Sequence, residues 1–106
     1  MIITDDAFHF LGEDLPVSFN VMVNDQVVKP YSISVEVYYT SKGNRKIFSD
    51  LFRPKDEEII YVLKKNIIKK PGDYALVFFC RLREYGSHIL IYKTKVRKNQ
   101  VEGVTG

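Results

Sequence analysis

Cysteine occurs once, at Cys80, histidine twice, at His9 and His88, and tryptophan not at all. A single cysteine excludes an intrachain disulfide, so stability has to come from packing, and it favours a reducing compartment. With one thiol and two histidines 79 positions apart, no zinc site of the usual Cys/His spacing can be drawn. There is no glycine-rich phosphate loop and no nucleophile elbow. No apolar run approaches the roughly 20 residues that span a bilayer, so no membrane partner is expected. The opening Met1-Ile2-Ile3-Thr4-Asp5-Asp6 lacks the basic region and apolar stretch of a signal peptide. The protein is therefore expected to be assembled in a cytoplasm and not secreted. No Asn-x-Ser/Thr acceptor occurs. These absences together predict a protein that is not an enzyme and needs no cofactor.

The 106 residues suffice for one domain with one hydrophobic core. Apolar residues make up 45% and charged residues 27%, ordinary for a globular chain. The net charge of +3 is unevenly placed. Residues 1–63 carry 6 Lys/Arg against 10 Asp/Glu, and residues 64–106 carry 10 against 3. Such asymmetry fits solvated strand faces, head-to-tail contacts between copies, or a nucleic-acid surface.

The dominant pattern has period two. Val17, Phe19, Val21 and Val23 alternate with Ser18, Asn20, Met22 and Asn24. Ile33, Val35, Val37 and Tyr39 alternate with Ser34, Glu36, Tyr38 and Thr40. Successive strand side chains point to opposite faces, so each run has one core face and one wetter face. Further strands are predicted at Lys46–Leu51, Glu58–Leu63, Tyr74–Arg83 and Ser87–Val96. Lys64–Lys70 is ambiguous, with room for one short helical turn. Turn residues punctuate the runs at Asn24-Asp25-Gln26, Lys29-Pro30, Ser41-Lys42-Gly43-Asn44, Arg53-Pro54-Lys55-Asp56 and Pro71-Gly72-Asp73. About seven short antiparallel strands and no helical periodicity predict an all-β sandwich or barrel over residues 1–98. Residues 99–106 read as a polar tail or linker.

The last hairpin yields a site prediction. A loop Glu84-Tyr85-Gly86 would place Gly86 where a left-handed backbone is needed. Arg83 then faces Ser87, Leu82 faces His88, Cys80 faces Leu90, Phe78 faces Tyr92 and Tyr74 faces Val96. The other face pairs Arg81 with Ile89, Phe79 with Ile91, Val77 with Lys93 and Ala75 with Lys95. Shifting by one residue would bury Lys93 and Lys95, at high cost. The face bearing Val77, Phe79, Ile89 and Ile91 should then be the outer one, yet it is apolar. Arg81, Arg83, Lys93 and Lys95 bound it. Such a patch marks a contact surface, unless the N-terminal segment or the tail folds back over it. The candidate interface is Val77, Phe79, Arg81, Ile89, Ile91 and Lys93.

Pro71-Gly72-Asp73-Tyr74 before an apolar strand looks like the tyrosine corner of an immunoglobulin-like sandwich. More widely, Gly12–Phe19 looks like a "Gly-Asp, then strand" opening. Asn24-Asp25-Gln26-Val27-Val28 follows where an Asn/Asp-Gly-x-Pro turn often sits. Then come the strand Ser32–Thr40, the corner, and a final strand ending in Lys95-Val96-Arg97-Lys98. Over roughly residues 8–98 this order resembles the immunoglobulin-like N-terminal domains of bacteriophage baseplate and tail proteins, the baseplate upper-protein type. Gln26 stands where that family's turn favours Gly. The resemblance implies a structural virion protein, an adaptor in a tail, baseplate or fibre attachment, with other virion proteins and copies of itself as partners.

Two other readings remain open. Lys64, Lys65, Lys69 and Lys70, together with Arg81, Arg83, Lys93 and Lys95 near Phe79 and Tyr85, could hold a nucleic-acid strand by phosphate contact and stacking. Tyr31, Tyr38, Tyr39, Tyr61 and Tyr85 could serve as carbohydrate platforms in an adhesion module. Asp5, Asp6, Glu13 and Asp14 match no calcium-loop spacing and are expected to be a solvated acidic N-terminus. His88 and Cys80 are expected on the inner face, in structural roles.

Overall fold

Burial in the folded chain follows the alternation of the sequence. In β3 (Leu15–Asn20), Leu15, Val17 and Phe19 are buried, whereas Pro16, Ser18 and Asn20 are exposed. The computed structural model from which this is read describes residues 1–4 and 9–98. The expected tail over 99–106, and Asp5 and Asp6, lie outside the described residues. Ten strands and no helix occur among the described residues. The short ones are β1 (Ile2–Thr4), β2 (His9–Phe10), β4 (Met22–Val23) and β5 (Gln26–Val27). The long ones, besides β3, are β6 (Ser32–Tyr39), β7 (Arg45–Phe52), β8 (Glu58–Leu63), β9 (Gly72–Leu82) and β10 (Gly86–Arg97).

Eight of the ten strands form an all-β sandwich of two unequal sheets, and β4 and β5 pair separately. The larger runs β1-β10-β9-β6-β7, with β2 also beside β10. Its pairs are antiparallel except for β1 and β2, which lie parallel to β10. The smaller sheet is the antiparallel pair β3-β8. Their inner faces meet around Phe78, whose ring lies 4.9 Å from that of Phe19 and 5.7 Å from that of Tyr61. Phe52 of β7 stacks on Tyr61 of β8 at 5.2 Å, closing one side of the core. The body is elongated, 56 × 24 × 20 Å.

The first long alternating run is broken. It leaves β3 at Asn20 and resumes in the small hairpin β4-β5. Asn24 and Asp25 turn that hairpin with φ of 51° and 63°. Positive φ at both central residues is the type I′ requirement, and Asn and Asp tolerate it. Gln26 already belongs to the returning strand, so a glycine there is not needed. The ambiguous segment 64–70 is not helical. It makes one turn, Ile67 N donating to Lys64 O at 3.1 Å, and buries Ile68.

The corner between β8 and β9 is built as a tyrosine corner. The Tyr74 hydroxyl donates to the backbone oxygen of Lys70. The Tyr39 ring lies edge-on to Tyr74 at 5.2 Å and under the Lys70 ammonium at 4.3 Å. Asp73 N donates to Ser41 Oγ at 2.7 Å, and Thr40 N to Asp73 O at 2.8 Å.

The β9-β10 register differs by two from the sequence expectation. Ser87 faces Arg81, His88 faces Cys80, Ile89 faces Phe79, Ile91 faces Val77 and Lys93 faces Ala75. The loop is Arg83-Glu84-Tyr85, and Gly86, with φ of 73°, opens β10. A shift of two leaves every side chain on its expected face, because the pleat repeats every two residues. Burial patterning is therefore blind to it. The observed register brings Lys95 opposite Asp73, with Nζ 3.8 Å from Oδ1, and sets Ile89 beside Phe79.

Candidate interaction surface

Strand pairing fixes which side chains share the outer face of the larger sheet. One row across it runs Ile2, Ile91, Val77, Glu36 and Ser49. The next runs Ile89, Phe79, Ser34 and Leu51. Ile2, Ile89 and Leu51 are 59%, 49% and 65% exposed, and Val77, Phe79 and Ile91 are half-buried among them. The result is an apolar stripe that crosses the sheet from edge to edge, interrupted by Ser34 and Glu36.

Charged groups bound the stripe on its two sides, and most are engaged. Arg81 Nη1 donates to Ser34 Oγ at 2.8 Å, which lays the guanidinium across the sheet beside Phe79. Arg83 sits in the hairpin loop, 5.7 Å from the Tyr31 ring centroid. On the other side Lys93 is exposed and Lys95 pairs with Asp73. Lys46 Nζ lies 3.5 Å from Glu36 Oε2, and the Tyr38 hydroxyl donates to Glu36 Oε1 at 2.7 Å. That hydrogen bond holds the Glu36 carboxyl below its ordinary value and pushes the Tyr38 phenol up.

All six candidate interface residues thus lie on one outer face, with Lys93 and Arg81 on opposite sides of the apolar stripe. Ile2 and Leu51 extend the stripe and were not anticipated. Leu51 is followed by Phe52, and two adjacent apolar residues hide which one faces inward. Ile2 belongs to a strand too short to show a period. Among the described residues, the N-terminal strand β1 does not fold across the face. β1 lies beside β10 in the plane of the sheet, with Ile91 N donating to Met1 O at 2.8 Å and the Met1 amine donating to Ile89 O at 3.0 Å.

Residues singled out for other chemistry are dispersed. Arg81 and Lys93 are separated by six residues along the ladder, about 20 Å. Lys64, Lys65, Lys69 and Lys70 lie on the connection from β8 to β9, with Lys70 over the Tyr39 ring at the Lys93 end of the sheet. Tyr39 and Tyr61 are buried, and the Tyr61 phenol, desolvated and next to Asp50, is pushed up to about 12. Of the remaining tyrosines, Tyr31 and Tyr85 are exposed and Tyr38 is held by Glu36. Glu13 Oε1 accepts from Phe10 N and Asp14 Oδ1 from Lys65 N, so both carboxylates tie loops to the body. His88 is half-buried opposite Cys80 at the rim of a recess of about 80 Å³ that Met1, Met22 and Ile89 also line. The Cys80 thiol is buried, and desolvation pushes it up to about 11. Such a thiol is protonated at neutral pH and is a poor nucleophile. No family model and no curated protein matches the chain.

Proposed function

We propose that this chain is a structural adaptor of a phage virion, in a tail, baseplate or fibre attachment, that works by protein–protein contact without catalysis. The apolar stripe on the outer sheet face carries the binding reading. Exposed apolar patches rimmed by polar residues mark interaction sites. The virion assignment rests on the resemblance to immunoglobulin-like baseplate domains, and two features support that resemblance. The order β10-β9-β6-β7 against β3-β8 is compatible with a G-F-C-C′ and B-E arrangement, and the Tyr74 bond to Lys70 O is of the kind a tyrosine corner makes. Leu76, two residues after that tyrosine, stands where disulfide-bonded members carry a cysteine, as suits a chain with one thiol.

The test is Phe79→Glu. A carboxylate at the centre of the stripe blocks docking of an apolar partner face, while the half-exposed position keeps it in reach of water. Light scattering after size exclusion of the chain with co-expressed virion proteins should show the complex with those proteins lost and the fold retained. A complex that survives the substitution would remove this face from the proposal. An unfolded variant would show that Phe79 belongs to the core.

A further inference from the structure

We infer that β8 is a self-pairing edge, and that two copies of this chain join through antiparallel β8–β8 contact about a twofold axis at Tyr61. Among the described residues, no strand pairs with β8 on the side away from β3. Unpaired edges template association, and proteins blunt them with charge, proline, bulges or short strands. The other edges here are blunted. β7 carries Arg45 and Lys46 and has a bulge against Val37 and Tyr38. β3 contains Pro16, and β1 and β2 have three and two residues. Apart from Glu58 at its first position, β8 has none of these devices. From Ile59 to Leu63 it holds no charge, no proline and no glycine, and its outward side chains Ile60 and Val62 are 63% and 38% exposed.

The flanks identify the occupant. The segment reads Glu57-Glu58-Ile59-Ile60-Tyr61-Val62-Leu63-Lys64-Lys65, acidic at one end and basic at the other. Pairing a second β8 antiparallel, with Tyr61 opposite Tyr61, sets Glu58 against Lys64 and Glu57 against Lys65 twice over. It also sets Ile60 against Val62 on the outer face. Shifting by two residues opposes Glu58 to Val62 or Lys64 to Ile60, and a parallel pair opposes like charges, which destabilises a ladder. The backbone is poised for this register. Pro16 lies opposite Val62 with no N–H to give it, and Lys65 N bonds Asp14 just beyond the end of β3. Both fit a ladder in which Ile59, Tyr61 and Leu63 bond β3. The amides and carbonyls of Glu58, Ile60, Val62 and Lys64 then face outward, and these are the groups the twofold register joins. The smaller sheet becomes four strands, β3-β8-β8-β3.

This contact is separate from the outer-face reading, because Phe79→Glu leaves it intact and changes in β8 leave the outer face intact. Sedimentation velocity across a concentration series reads it. The wild type should pass from monomer to dimer, with the modest affinity of a small interface. Glu57→Lys with Glu58→Lys, and separately Lys64→Glu with Lys65→Glu, should each weaken self-association at least about tenfold, by turning attraction into repulsion at four positions. Mixing the two variants should restore a dimer, now of unlike chains. Ile60→Lys with Val62→Lys, both side chains outward, should abolish the dimer and serves if either charge variant fails to fold. A wild type that stays monomeric, charge variants that dimerise undiminished, or a mixture that restores nothing would each overturn the proposal.

Discussion

Replacing Gly72 by alanine adds one methyl group at the most crowded point of the tyrosine corner. The backbone there has φ of +146°, a conformation L side chains rarely adopt. A Cβ would stand 2.6 Å from Tyr39 Cε1, 2.8 Å from Ser41 Oγ and 3.0 Å from the Tyr39 hydroxyl. Ordinary carbon contacts are about 3.5–4.0 Å, so the overlap with the ring approaches an ångström. Neither neighbour can yield freely. The Tyr39 ring is buried between Tyr74 and Lys70, and Ser41 Oγ is occupied by Asp73 N. Overpacking and an unfavourable backbone each cost about 1–3 kcal/mol, less a few tenths returned by a stiffer unfolded chain. Gly72→Ala should therefore lose about 2–5 kcal/mol, a large share of the roughly 5–15 kcal/mol that holds a domain folded. Gly86→Ala is the control. Its φ is +73°, but nothing lies within 4 Å of the added methyl, so only the conformational cost of about 1–2 kcal/mol applies. Urea unfolding followed by circular dichroism, with unchanged denaturant slopes, compares the two. If Gly72→Ala loses no more than Gly86→Ala, the packing of Tyr39 and Ser41 against the β9 backbone carries no weight and the reasoning fails.

Tyr74→Phe removes only the hydroxyl that donates to Lys70 O, and should cost about 1 kcal/mol, or about 4–8 °C in Tm by thermal circular dichroism. An unchanged Tm would mean the corner bond contributes nothing net. Stability should also fall in alkali. Folding raises the Cys80 thiol from 9.0 to about 11 and the Tyr61 phenol from 10.0 to about 12, so the folded state holds protons that the unfolded state releases. Their contributions are complete below pH 9 and pH 10 respectively, and are lost as pH rises through the folded values. Urea midpoints should decline from about pH 9 upward. Tyr61→Phe should flatten the decline above pH 10, and midpoints level to pH 11 would contradict both assignments.

Much of this fold is legible in the sequence because sandwich strands declare their inner face every second residue. The bounds of β8 match the sequence reading, as does the inward set of β6 from Ile33 to Tyr39. The corner at Tyr74 was legible from turn chemistry beside an apolar strand. What escaped detection shares a physical reason. Registers two residues apart place the same side chains inside, so only pair contacts such as Lys95 with Asp73 separate them. β1 and β2 are too short to carry a period, and their parallel pairing with β10 depends on tertiary placement. The acidic and basic flanks of β8 are plain in the sequence. They acquire meaning only once the topology shows which edge is left open.

The parallel placement of β1 and β2 along β10 has a mechanical consequence. Both ends of the described fold are anchored on one strand, through Met1 O to Ile91 N and Arg97 O to Leu11 N. Because these strands run in the same direction, tension that draws the two ends apart slides β1 and β2 backwards along β10. It does not peel them away. The hydrogen bonds then bear the load together in shear, and no single bond can be opened first. Resistance to such a pull is set by the rate of unfolding and not by equilibrium stability. A domain strung between other parts of an assembly would gain from that arrangement, holding under a brief pull even with a modest folding free energy.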